Sequence, residues 1–217
     1  MKPIISGNLI EKWLTGWSLS RDLPLPVKHK SGFKVEVNWE MQKERYVFPV
    51  LNEDFFQLAM AVEEPWVFLK VCAKPSALKY KIPDRWIIQP QGYLMGYTNR
   101  ADKRSNELPD GYRQECNEYN SVFEIRITDR EGEMASTGRV VLVDDYAIFD
   151  RIETNPKHRR KGLATHVLNK LQEIADAQGI TQHILVATQE GKILYESLGW
   201  EVYSLYTSIV IPPYRTG

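Results

Sequence analysis

Cysteine is nearly absent: the 217 residues hold two, Cys72 and Cys116, far apart and without a histidine cluster beside them. That excludes a disulfide framework and a thiolate metal site, and it fits a reducing compartment. Histidine is scarce too, and His158, His166 and His183 stand at no spacing from carboxylates that suggests a metal or a triad. Net charge is missing, with 28 Lys+Arg against 28 Asp+Glu. The chain as a whole therefore has no basic field for a nucleic-acid backbone. No apolar run approaches the roughly 20 residues of a membrane span, and the first one, residues 3–5, is too short for a signal peptide. These absences lead us to expect a cytoplasmic protein with no metal, no nucleic acid and no membrane among its partners. Apolar residues at 43% and charged ones at 26% describe ordinary globular material.

Glycine-rich phosphate loops are missing as well. A nucleoside-triphosphate loop ends Gly-Lys-Ser/Thr, but Gly162 is followed by Leu163. A dinucleotide fingerprint needs three glycines, and the stretch 155–164 has one. What is present is a strand-like run, 146–154, then Asn155-Pro156-Lys157-His158-Arg159-Arg160-Lys161-Gly162-Leu163-Ala164, then an amphipathic helix. Leu163, Val167, Leu168, Leu171, Ile174 and Ala175 recur at helical spacing, and Gly179 supplies a stop. The first N–H groups of a helix lack partners and carry the positive end of its dipole. Gly162 and the small Ala164 let an anion approach them, amid five basic side chains. A solvated basic turn before a surface helix is the plainer alternative.

The stretch resembles the acetyl-coenzyme-A loop of the GNAT acyltransferase superfamily, Arg/Gln-x-x-Gly-x-Gly/Ala, through Arg159, Gly162 and Ala164. The strand before it ends in that superfamily's apolar-x-apolar-x-Pro manner, with Ile152, Thr154 and Pro156. A second match follows: an apolar run, 184–187, then Thr188-Gln189-Glu190-Gly191-Lys192-Ile193-Leu194-Tyr195-Glu196-Ser197-Leu198-Gly199-Trp200. It is similar to Asn-x-x-Ala-x-x-Leu-Tyr-x-x-x-Gly-Phe in order and spacing, with Thr188 for Asn and Gly191 for Ala. The resemblance spans residues 107–211.

It implies an acetyl-CoA-dependent N-acetyltransferase acting on an amine-bearing small molecule or peptide. Backbone groups of Ile152, Glu153 and Thr154 would pair with the pantetheine arm. Arg159, Arg160, Lys161, Gly162, Leu163, Ala164 and Thr165 would hold the pyrophosphate, with Thr188 near the arm. Tyr195 matches the tyrosine beside the thioester sulfur, a general acid. Asp150 is the candidate base. A regular strand would put it on one face with Ile152 and Thr154, a bulge would change that face, and Glu153, the alternative base, falls on the other side by parity. An ordinary salt bridge from Asp150 to Arg151 or Arg139 is the alternative.

The implied fold is α/β: a mixed, mostly antiparallel sheet with flanking helices over 106–217, plus a smaller αβ region over 1–105. The polar run 99–110 is the expected boundary. In the first region we expect a helix bearing Leu9, Ile10, Trp13, Leu14 and Trp17, a proline-ruled connector at 21–26, and strands at 33–39, 45–50, 66–73 and 92–97, with helices at 53–63 and 77–81. Residues 66–97 echo 183–211 as strand, helix and strand. Hence 1–105 reads as a degenerate, cofactor-free copy of the later half, chance similarity being the alternative. Two other functions compete. One is a non-catalytic acyl-CoA sensor whose first half is an interaction surface. The other is a nucleic-acid binder on Lys157–Lys161, opposed by zero net charge and no aromatic interleaving.

Overall fold

The computed structural model describes residues 5–97 and 107–213. In them the chain runs α1 (Gly7–Leu19), β1 (Val27–His29), β2 (Gly32–Trp39), β3 (Gln42–Phe48), α2 (Glu53–Ala61), β4 (Val67–Val71), β5 (Ile87–Ile88) and β6 (Gly92–Tyr97). It continues with β7 (Arg113–Tyr119), β8 (Val122–Thr128), β9 (Met134–Val143), β10 (Tyr146–Thr154), α3 (Leu163–Ala177), β11 (Gln182–Ala187), α4 (Gln189–Ser197) and β12 (Glu201–Val210). No described helix is long and apolar enough to cross a membrane.

All the strands join one mixed sheet, in the order β1-β2-β3-β4-β12-β6-β11-β10-β9-β8-β7, with β5 also beside β12. Among the described residues only β3–β4 and β10–β11 pair in parallel. Helix α1 begins at Ser6, whose hydroxyl accepts the Leu9 N–H. It buries Ile10, Trp13, Leu14 and Trp17 on a face shared by both ends of the sheet, against Val35 and Val47 of one end and Ile148 and Ile184 of the other. Gly16 permits the contact, because a Cβ there would lie 2.5 Å from Ile148 Cγ1. The opposite face carries α2 at the first end, with Phe55 and Ala59 against Phe48 and Leu69. At the other end it carries α3, with Val167, Leu168 and Leu171 against Ile125, Val140 and Phe149.

Each parallel pair is made through a helix, β3-α2-β4 and β10-α3-β11. The strand next to β4 is β12, and the strand next to β11 is β6, both antiparallel. Beyond them lie β5 against β12 and β12 against β6. The two ends of the sheet thus repeat one order, and each holds a strand supplied by the other part of the chain. The expected boundary at 105/106 lies outside the described residues. Strand β6, before it, sits between β11 and β12, after it.

Several elements differ from the sequence reading. Strands β1, β5 and β7 were not expected. Strand β7 is exposed along nearly its whole length and shows no apolar alternation, so its backbone pairing with β8 alone makes it a strand. The helix expected at 77–81 is a short 3-10 turn at Pro75–Ala77.

Candidate functional site

Strands β10 and β11 pair only over Tyr146–Gln182, Ala147–His183 and Ile148–Ile184, then part. Strand β10 runs on to Thr154 and β11 to Ala187. The gap opens a cleft of about 860 Å³ whose walls include Phe149 to Thr154 of β10, Leu185 to Ala187 of β11, the turn before α3 and Tyr195 of α4. A groove between splayed strands exposes backbone edges that an extended ligand can use as a neighbouring strand would.

One end of the cleft is the start of α3. Gly162 stands at φ +80°, a left-handed conformation that favours glycine. No side chain caps this helix and its first turn has no acidic residue, so its positive end faces the cleft without a built-in anion. Arg159, Arg160, Gly162, Leu163, Ala164 and Thr165 line the cleft, as do Ile152, Glu153, Thr154 and Thr188. Lys161 does not. Its Nζ donates to the Tyr112 hydroxyl at 2.9 Å, and that hydroxyl lies 2.8 Å from His158 Nδ1.

His158 is buried, and its Nε2 lies 3.5 Å from Asp129 Oδ2. Ligand atoms of Asp129, Glu133 and His158 come within 4.8 Å of one another, the usual reach of a cation site. Each already has a protein partner. Asp129 Oδ1 accepts the N–H groups of Glu131 and Glu133, Glu133 pairs with Lys157 at 3.7 Å, and His158 has Tyr112. We read this group as the anchor of the basic turn. Sequence spacing missed it, because Tyr112 and Asp129 come from before β8 and after it. Across the cleft Arg159 Nη1 meets Glu190 Oε1 at 3.2 Å, an exposed pair.

The other end is formed by Tyr195 and Asp150. Tyr195 is 8% exposed and packs on Trp200. Burial, and then the charge of Asp150, push its phenol well above the ordinary range. Thr188 caps α4, its hydroxyl accepting the Gly191 N–H at 3.1 Å.

The shared face expected for Asp150, Ile152 and Thr154 is not what the strand makes. The β10–β9 register jumps from Asp150–Arg139 to Glu153–Thr137, a bulge with Arg151 at φ +51°. The extra residue inverts the alternation. Asp150 points to the α1 side, whereas Ile152 packs into the core under α3. By parity Glu153 then shares the face of Asp150. The partner of Asp150 is also unexpected: it pairs with neither Arg151 nor Arg139 but with Arg21, from the connector after α1. Arg21 Nη2 and Nε donate to its two oxygens at 2.8 and 2.9 Å, and the Ser20 hydroxyl donates at 2.5 Å. Nothing in the local pattern around residues 20–21 signals this reach across the chain.

A sequence model described as the acetyltransferase (GNAT) family matches residues 90–200. A GCN5-related N-acetyltransferase from Kribbella flavida superposes with a TM-score of 0.68 at 16% identity, covering 98% of this chain and 97% of that one. A putative acetyltransferase of the same family from Novosphingobium aromaticivorans gives 0.61 at 15%, covering 94% and 97%. A tandem GNAT protein from the clavulanic acid biosynthesis pathway gives 0.51 at 12%, covering 68% and 65%. No curated protein sequence is significantly similar. Likeness at such low identity speaks for the fold, and the matched half of the chain holds the splayed strands, the basic turn and Tyr195. On that match the chain belongs to the acetyltransferase (GNAT) family.

Proposed function

We propose that the protein is an N-acetyltransferase that takes the acetyl group from acetyl-CoA and passes it directly to a primary amine. The observation that carries this reading is the cleft between the parted strands, with an uncapped, acid-free helix start at one end and a buried tyrosine at the other. Backbone edges at Ile152 to Thr154 suit the amides of an extended arm, and N–H groups around Gly162 to Thr165 suit a pyrophosphate. Bound there, acetyl-CoA supplies an acyl group activated as a thioester. The acceptor nitrogen forms the new C–N bond as the C–S bond breaks, the amine losing one proton and the thiolate gaining one.

Tyr195 is the donor of that second proton. A thiol titrates near about 8.5 and an unperturbed tyrosine near about 10, so the phenol stays protonated while charge grows on sulfur. Asp150 is our candidate to receive the amine proton. Of the roughly four lone-pair sites on a carboxylate, Arg21 and Ser20 occupy three. One is left, Asp150 lines the cleft, and the bidentate clamp holds its carboxylate at a fixed place.

The first end of the sheet lacks both the parted strands and the uncapped helix start, which supports reading residues 1–105 as a degenerate, cofactor-free copy. Strands β3 and β4 stay paired from Glu44–Val67 to Phe48–Val71 and leave no gap. Helix α2 is capped by Asn52 and opens with Glu53 and Asp54, a negative end that repels phosphate. A cytoplasmic site of action remains part of this reading, on the scarcity of cysteine. The test is release of free thiol from acetyl-CoA with a panel of amines. Tight acetyl-CoA binding with no thiol release on any amine would favour a non-catalytic acyl-CoA module instead.

A further inference from the structure

Cationic side chains stand unusually deep in the face that α1 covers. Arg45 of β3 lays its guanidinium on the Trp17 ring, with Cζ 3.6 Å from the centroid. Arg21 packs on the same tryptophan at 5.0 Å and on Trp39 at 5.9 Å. Lys70 of β4 is 9% exposed, and its Nζ donates to Ser208 Oγ at 2.8 Å. Among the described residues a single carboxylate, Asp150, reaches this group, and Arg21 already holds both of its oxygens. Burial, with Arg45 and Arg21 nearby, drives Lys70 well below its ordinary value, and burial lowers Arg45 to about 10.

The polar groups around these cations are short of partners. Arg45 Nε, Gln42 Nε2 and the Tyr206 hydroxyl are shut off from solvent with no hydrogen-bond partner. Tyr206 is 3% exposed and Gln42 9%. Among the described residues the one side-chain hydrogen bond of Arg45, from Nη2 to Gln42 Oε1, is long at 3.4 Å. Unsatisfied buried donors are costly and uncommon in a folded interior. A guanidinium stacked on an indole keeps its in-plane donors aimed outward, which suits a planar anion. Arg21 and Asp150 link the set to the cleft: both line it, Arg21 shares Trp17 with Arg45, and the charge of Asp150 acts on Arg45.

We infer that the acceptor amine carries an anionic group, a carboxylate or a phosphate monoester, which Arg45 and Lys70 bind with the Tyr206 hydroxyl while the amine meets Asp150. This rests on the acetyl-transfer reading and assigns recognition of the acceptor to the first part of the chain. Asp150 faces that side by regular alternation with Tyr146 and Ile148, and the bulge after it sends Ile152 to the opposite face, under the helix that faces the pyrophosphate.

The experiment uses the full chain with saturating acetyl-CoA and matched amines. These are ω-amino acids from glycine to 6-aminohexanoate against their amides, aspartate and glutamate against asparagine and glutamine, and phosphoethanolamine against ethanolamine. At least one anionic member should exceed its neutral partner in kcat/KM by about tenfold or more, the worth of a charge-assisted contact. Which pairs respond tells carboxylate from phosphate. Arg45→Gln and Lys70→Met should remove that preference through KM and leave acetyl-CoA affinity unchanged. Lys70→Met should also melt at or above the parent temperature, because it replaces a buried cation with an apolar chain of like length; a fall in melting temperature would assign Lys70 a structural role and overturn its part in binding. Thiol release with no preference within any pair overturns the inference and leaves acetyl transfer intact. Calorimetric binding of an anionic amine that depends on Arg45, without thiol release, sustains the anion site and defeats acetyl transfer.

Discussion

Tyr195 is separable from its surroundings by one atom. Tyr195→Phe keeps the ring on Trp200 and removes only the hydroxyl. General acid–base groups contribute about 10²–10⁴-fold, so turnover should fall by roughly 10²-fold, while acetyl-CoA affinity, set at the far end of the cleft, should stay within a few-fold. The phenol is raised by burial and by Asp150, so its protonated form persists above its ordinary value. Loss of that proton should therefore give no alkaline decline in kcat below about pH 10; a decline there that vanishes in Tyr195→Phe would contradict the upward shift by burial and Asp150. Unchanged turnover in the variant would leave Tyr195 a packing residue. At this scale the sequence was informative where a motif named the residue, as for Tyr195 and Gly162. It was silent on Arg21 and Ser20, because contacts across some 130 positions leave no local trace.

Helix α1 and the strands it spans decide where Asp150 sits. Its period of apolar residues was plain in Leu9, Ile10, Trp13, Leu14 and Trp17, and so were the strand-like run that became β10 and the amphipathic α3. The bulge was not, since an extra residue at Arg151 changes pairing and not hydropathy. Nor was β7, a polar edge strand held by its backbone. Gly16 tests the α1 contact. An added methyl would overlap Ile148, so Gly16→Ala must push α1 away from β10. We expect a loss of about 1–3 kcal/mol in unfolding free energy, the usual cost of overpacking. Turnover should drop as well, because Ser20 and Arg21 at the end of α1 lose their register on Asp150. Chemical denaturation and thiol release on the same sample check both. A variant as stable and active as the parent would mean that α1 is more loosely seated than its burial indicates.

For the whole molecule, the exchanged strands tie the two parts of the chain into one cooperative unit. Strand β6 fills the place between β11 and β12, and β12 fills the place between β4 and β5. Residues 106–217 expressed alone should therefore fail to fold, with two edges exposed where β6 belongs, whereas co-expressed 1–105 and 106–217 should associate. Circular dichroism of the isolated fragment decides this, and a native-like melt would contradict it. Composition and motifs could suggest two related parts, but not that each completes the other, because strand exchange is a property of long-range pairing. The central claim is that acetyl-CoA lies in the β10–β11 cleft with its phosphates at the start of α3. Calorimetric titration of acetyl-CoA into the wild type and into Gly162→Glu tests it most directly. The account predicts saturable binding at one site per chain in the wild type and none in the folded variant, where a carboxylate stands in the path of the phosphates. Equal affinity in the two proteins would contradict it.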